Sequence, residues 1–193
     1  MKKGVLSLAF AMIFGVATVT ATEPVSEEKK EVKTETSTIT WKAYKVTGSH
    51  YGTVDLKSGS LVFDGDKLTG GEFEADMTTL EATDLEGESK GKLEGHLKSD
   101  DFFGTEKHTA AKLVFTKVEP TGKNSYEVTG DLTIKGVSKP VTFDVSVYGS
   151  KATATVKVDR TAYDIKYGSG SFFDNLGDKA IYDEFDLVVD LEF

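Results

Sequence analysis

The residues Tyr126-Glu127-Val128-Thr129-Gly130-Asp131-Leu132-Thr133-Ile134-Lys135 decide the fold. Tyr126, Val128, Leu132 and Ile134 fall on one face of an extended chain, and Glu127, Thr129, Asp131, Thr133 and Lys135 on the other, because successive strand side chains point to opposite faces. Gly136-Val137-Ser138-Lys139-Pro140 supplies a turn, and Val141, Phe143, Val145 and Val147 return with the same alternation. Gly149-Ser150 is a two-residue hairpin signal. It leads into Ala152, Ala154, Val156 and Val158. The final strand alternates Ile181, Phe185, Leu187, Val189, Leu191 and Phe193 with polar partners.

The same period runs upstream. Ile39, Trp41 and Ala43 mark a first strand, and Thr53 to Phe63 a second, whose apolar phase slips at Ser58-Gly59-Ser60. One extra residue in a β-bulge there restores the inward face. After an Asp64-Gly65 turn, Phe73, Ala75 and Met77 oppose Glu72, Glu74 and Asp76. In the fourth strand Leu113 and Phe115 share one face while Val114 and Val118 take the other, which predicts cover on both sides. Eight strands joined largely by short turns, with no βαβ pattern, leave an antiparallel barrel or a two-sheet sandwich. The barrel is favoured, since eight strands enclose one small ligand or are filled by their own side chains.

The alternation stops once, at Gly95-His96-Leu97-Lys98-Ser99-Asp100-Asp101-Phe102-Phe103. A candidate helix from Asp84 to Leu97 leads into it. Adjacent phenylalanines cannot both face one side of a strand, so this stretch is predicted to plug one end of the barrel. A second irregular stretch, Ala162 to Lys179, carries Tyr163, Tyr167, Phe172 and Phe173. It is expected to form a mouth together with Phe102 and Phe103.

Met1-Lys2-Lys3 followed by an uncharged run to Ala21 has the form of a secretory signal peptide, residues 1–21. Cleavage after Ala21 leaves 172 of the 193 residues and, with Lys2 and Lys3 gone, 21 basic against 32 acidic side chains, a net charge of −11. The expected location is periplasmic or secreted. Residues 22–37 are Glu-, Lys- and Thr-rich, and are predicted to be a disordered leader because they offer too little apolar surface to offset ordering entropy. Residues 38–193 are then one domain. With no cysteine, neither a lipidated N-terminal cysteine nor a disulfide framework exists. An acidic chain with one arginine, Arg160, argues against nucleic acid and against anionic membrane surfaces.

Catalytic and metal motifs are weak. The three histidines (His50, His96, His108) lack metal-ligand spacing, and neither a Gly-x-Ser-x-Gly elbow nor a phosphate loop is present. His96 beside Asp100 and Asp101 could form an acid/base group, but a structural histidine within the plug is preferred. Arg160 could clamp an anion, or pair with Asp100 or Asp101 and tie the plug down. No enzyme, cofactor or metal site is therefore expected. A small outer-membrane barrel is a further alternative, disfavoured because it would crowd unpaired acids into a narrow lumen.

Several stretches resemble the YceI-like family: Gly95 to Phe103, Gly130 to Val141, and Asp159-Arg160-Thr161-Ala162-Tyr163-Asp164-Ile165, with Trp41-Lys42-Ala43 and Gly71 to Met77 in agreement. Gly104, where many relatives have Asp, and Thr109-Ala110-Ala111, in place of a proline-containing turn, depart from the pattern. The resemblance implies an extended lipocalin-like barrel, typically periplasmic, holding a polyisoprenoid or isoprenoid quinone without catalysis. Residues expected to line such a lumen are Phe73, Met77, Leu113, Phe115, Leu132 and Ile134. Phe143, Val145, Val156, Phe185, Leu187 and Val189 continue that lining, with Phe102, Phe103 and Phe172 nearer the mouth. His96, Lys98 and Arg160 are the candidates for a headgroup contact. Burying ten chain carbons there would contribute roughly 8 kcal/mol before ordering costs. The expected function is non-enzymatic carriage, sensing or sequestration of a long isoprenoid lipid (polyprenol, polyprenyl phosphate or quinone). The competing reading is a ligand-free interaction domain whose barrel is filled by its own side chains. The oligomeric state is open, with a homodimer one candidate from the family tendency and the long final strand.

Overall fold

The computed structural model describes residues 27–193, so the signal-peptide expectation lies outside the described residues. In chain order the strands are β1 (Glu27–Glu31), β2 (Thr38–Lys45), β3 (Gly48–Asp64) and β4 (Lys67–Ala82), followed by helix α1 (Gly87–Lys98). Then come β5 (Ala110–Gly122), β6 (Ser125–Ile134), β7 (Val137–Tyr148), β8 (Lys151–Asp159) and β9 (Ile181–Glu192). All pairings between these strands are antiparallel. The order β2-β9-β8-β7-β6-β5-β4-β3, with β3 back on β2, closes an eight-stranded barrel. A closed sheet has no long unpaired edges to protect.

The apolar face of each strand points inward. Charged residues occupy the outside, where Glu74 bridges Lys57 at 2.7 Å and Lys112 at 3.0 Å. That arrangement is the reverse of an outer-membrane barrel, whose apolar faces meet lipid. Among the described residues no helix is long and apolar enough to cross a membrane.

Three expectations need correction. The leader is not wholly disordered: Glu27–Glu31 pairs with Ser60–Asp64 of β3, continuing the edge that β2 occupies further along. Strand pairing uses backbone groups, so the charged side chains of Glu27, Glu28, Lys29 and Glu31 are tolerated where they face water; half-buried Lys30 lays its ammonium over the Phe63 and Phe193 rings (5.0 and 5.8 Å), and Val32 beyond them is buried. Among the described residues the outer edge of β1 has no strand partner. Second, Val114 is 49% exposed. The register shifts between Phe115 and Lys117, and this bulge turns Val118 inward against the core while Val114 stays outside. Third, the turn after Ile134 is only Lys135-Gly136, both with positive φ (52° and 77°), and β7 starts at Val137. Pro140 fits inside that strand because β8 pairs only with Asp144–Tyr148, leaving the front of β7 without a second neighbour.

The expected bulge in β3 is present one step earlier, between Leu56 and Ser58. The helix starts three residues later than expected, and Leu97 is its buried residue. It is docked by polar contacts to β4: Glu94 accepts from the Ala82 amide at 2.9 Å, and Lys90 donates to Glu81 at 3.1 Å.

Candidate functional site

The barrel interior holds a cavity of about 160 Å³. Its walls are apolar almost throughout. Of the fifteen side chains expected to line a lumen, fourteen do so. On β4 and β5 these are Phe73, Met77, Leu113 and Phe115; on β6 and β7, Leu132, Ile134, Phe143 and Val145. Val156 on β8 and Phe185, Leu187 and Val189 on β9 complete the ring, and Phe102 and Phe103 close the plug end. Phe172 does not join them: it is 50% exposed on the loop before β9, with the Lys166 ammonium 5.1 Å from its ring.

The expected lining leaves out several wall residues, including Trp41, Leu61 and Leu191, and above all the small ones: Ala43, Ala75, Ala111 and Ala154. These alanines are why space remains. Each sits at an inward strand position where a larger side chain would occupy the axis. Phe73, Phe115 and Phe143 make an aromatic run along one wall, with ring centroids 5.6 and 5.9 Å apart. The run lies close to its strand because Gly71 has no side chain: a Cβ there would stand 2.9 Å from the Phe115 ring.

The plug is built from local hydrogen bonds. Phe102 and Phe103 donate backbone N–H groups to the Ser99 and Leu97 carbonyls, both at 3.0 Å, and Gly104 and Thr105 bond back to Ser99 and Lys98. This turn sends the two rings together, edge to face at 5.1 Å, into the barrel end, where Phe103 meets Phe185 at 6.4 Å. His96 packs its ring against Phe102 (5.5 Å) and Tyr167 (4.4 Å), joining the plug to the loop before β9. Its buried Nε2 has no protein partner. Lys98 lies half-buried on the last turn of α1, outside the cavity wall.

Arg160 is on the wall and only 2% exposed. It does not pair with Asp100 or Asp101. Asp100 is held by Lys107 at 2.5 Å. Arg160 instead donates to three backbone carbonyls, those of Tyr182 (3.1 Å), Ile165 (2.8 Å) and Ile181 (3.0 Å), and lies 3.6 Å from Asp183. Its guanidinium also stands 5.5 Å from the centre of the Phe102 ring. Burial pulls its pKa down, while Asp183 and Asp159 oppose that shift. For Asp183, burial pushes the carboxyl up, but Ser169, Ser171 and Arg160 together hold it below its ordinary value. Nearby, burial pushes the Tyr163 phenol up to about 12, and its hydroxyl has no protein partner. One arginine thus ties the end of β8, the start of β9 and the plug into a single unit with its charge offset. Among the described residues, no group of three or more His, Cys, Asp or Glu is placed to hold a metal ion.

Both the sequence and the barrel match known proteins. The model of the YceI-like domain matches residues 31–193. The chain belongs to the YceI-like family. It is 30% identical over 141 residues to a UPF0312 protein of Pseudomonas putida (strain W619), covering 72% of this chain and 71% of that protein. A UPF0312 protein of Shewanella denitrificans is 38% identical over 91 residues, 47% of this chain and 46% of that protein. Among solved structures, Burkholderia cenocepacia BcnA superposes with a TM-score of 0.66 at 22% identity, covering 83% of this chain and 98% of BcnA. A polyisoprenoid binding domain from Saccharophagus degradans gives 0.54 at 13% identity, covering 84% and 97%. At these identities the structures establish the shared YceI-like barrel.

Proposed function

We propose that this YceI-like protein binds a neutral isoprenoid lipid, a prenol or prenylated quinone, by enclosing its tail in the barrel. The observation that carries this reading is a lumen kept open by inward-facing alanines and walled by apolar side chains. Such a site selects by shape and gains its affinity from apolar area removed from water. The polyisoprenoid binding domain of the same fold supports the choice of isoprenoid over straight-chain lipid.

Arg160 supports a neutral end group. Three of its N–H groups serve backbone carbonyls, and Asp183 offsets its charge. A phosphate placed here would add a buried negative charge beside an arginine whose own charge Asp183 already offsets, which is costly. A hydroxyl or quinone carbonyl needs only one of the remaining donors. The basic start and uncharged run of residues 1–21 support action outside the cytoplasm, as a carrier or sequestrant of lipid drawn from a membrane.

The test is solvent extraction and mass spectrometry of protein purified gently from its native envelope. A stoichiometric neutral isoprenoid is the expected result. An empty extract, together with no uptake of added prenol or quinone, would overturn the reading in favour of an interaction domain without a ligand. Tight binding of prenyl phosphate over prenol would overturn the neutral end group.

A further inference from the structure

Among the described residues, the large apolar side chains left in water fall into two groups. Tyr51, Val114, Tyr148 and Val188 lie one to a strand, on β3, β5, β7 and β9, and single residues of this kind need no explanation. Val46, Tyr167, Phe172, Phe173 and Tyr182 differ: each is half or more exposed, and hydrogen bonds tie their backbones together. The Val46 amide, in the turn between β2 and β3, donates to the Ala180 carbonyl at 3.2 Å, and Ile181 donates to Gly168 at 2.8 Å. The carbonyl of fully buried Ser169 accepts from the Phe172 and Phe173 amides at 3.2 and 3.0 Å. Tyr167 meets the plug through His96, edge to face at 4.4 Å, and Tyr182 belongs to the cavity wall. The patch therefore borders the lumen at its plugged end.

We infer that this aromatic patch seats the mouth of the barrel on a zwitterionic lipid surface, where ligand passes between bilayer and lumen. The cargo rests on the isoprenoid reading above; the lipid surface is what is added. Charge selects it. Lys45, Lys166 and Lys179 match Asp164, Asp174 and Asp178 across the β2–β3 turn and the loop from Ala162 to Tyr182, so the rim is neutral in a chain of formal net charge −9. An anionic surface would be repelled by the acidic body behind that rim. Tyrosine and phenylalanine suit the boundary between headgroups and acyl chains. The Lys166 ammonium, 5.1 Å from the Phe172 ring, can stay at headgroup level while the ring enters. A tail that crosses such a seat avoids exposure to water. A second copy of the chain on the same patch would instead cover the mouth and shut the ligand out.

The test is co-sedimentation with phosphatidylcholine vesicles that contain no isoprenoid, at physiological salt. The parent protein is expected to sediment with them, and the double variant Phe172→Ser/Phe173→Ser to lose at least tenfold in partitioning while keeping the parent's thermal midpoint, since both rings are exposed. Val46→Asp, on the neighbouring turn, should weaken partitioning in the same direction and keeps the test informative if the double variant fails to fold. Vesicles of equal parts phosphatidylcholine and phosphatidylglycerol should bind the parent less well. A parent that sediments with neither vesicle would overturn the docking surface, and so would folded variants that sediment as well as the parent. Tighter, salt-sensitive binding to the anionic vesicles would overturn the zwitterionic assignment. Self-association in analytical ultracentrifugation that the double variant abolishes, with no vesicle binding, would give the patch to a second copy instead. Because these vesicles carry no isoprenoid, failure here leaves the isoprenoid reading standing, and an empty solvent extract would remove that reading without altering the sedimentation result.

Discussion

The two halves of the barrel use the same alternating strands, yet the half beneath the plug is hollow and the half at the β1 end is solid. In the hollow half, inward positions on four strands carry Ala43, Ala75, Ala111 and Ala154, and the large rings are laid along the wall. In the solid half, Phe63, Leu68, Tyr126 and Phe193 converge from β3, β4, β6 and the chain end. Identical backbone geometry thus gives a container or a foundation according to side-chain volume at a handful of inward positions. Stability should be concentrated in the foundation, and ligand affinity in the container.

The most severe way to break this contrast is truncation of an aromatic residue in each half. Phe63→Ala is expected to destabilise by about 3–5 kcal/mol, the range for a fully packed phenylalanine. Phe115→Ala, whose ring already faces open space, should cost clearly less. Denaturant unfolding of both variants decides it, and equal losses would mean that the upper half is packed as tightly as the base. Enlargement sharpens the contrast from the other side. Val128→Phe overpacks a residue with no exposed surface and should cost about 1–3 kcal/mol. Ala154→Phe should leave the unfolding midpoint nearly unchanged while reducing quinone uptake at least tenfold.

Acid should act on the hollow half through Asp183. Its folded pKa lies below the ordinary 3.8. Its contribution is therefore complete above that value and is lost as pH falls through the lower folded pKa. Asp183→Asn is expected to lower the thermal midpoint at pH 7 and to converge with the parent as pH falls through the lowered folded pKa of Asp183. A gap that persists undiminished in acid would show that the carboxylate's charge is not what holds Arg160. The smallest effect is expected outside the barrel. Lys29→Ala removes the 2.7 Å contact to Glu72 between exposed side chains, and thermal melts should not distinguish it from the parent.

Much of this was legible in the sequence, and the exceptions have physical reasons. Alternation from Tyr126 to Ile134 revealed strands and inward faces because period 2 follows directly from strand geometry. It could not separate wall from core, since Val128 and Val145 have the same pattern although only Val145 meets the cavity. The inward alanines held that information: small side chains in register across Ala75 and Ala111, which are paired neighbours on β4 and β5, signal a void. The partners of Arg160 were illegible because they are backbone carbonyls, which every residue possesses. The strand at Glu27–Glu31 escaped notice because its pairing uses only main-chain groups, beneath side chains that would suit an unstructured leader equally well.

That edge strand has a consequence for how copies of the molecule share a compartment. An unpaired strand is a template on which another chain can grow a sheet. Here the strand reads Glu27, Glu28, Lys29, Lys30, Glu31, with all but Lys30 exposed. An identical antiparallel strand centred on Lys29 would set that ammonium against its own copy and Glu27 twice against Glu31, and these three like-charge pairs outnumber the two attractive Glu28–Lys30 pairs. The residues that look least like structure are thus placed to keep crowded molecules apart, a colloidal safeguard built from Glu27, Lys29 and Glu31.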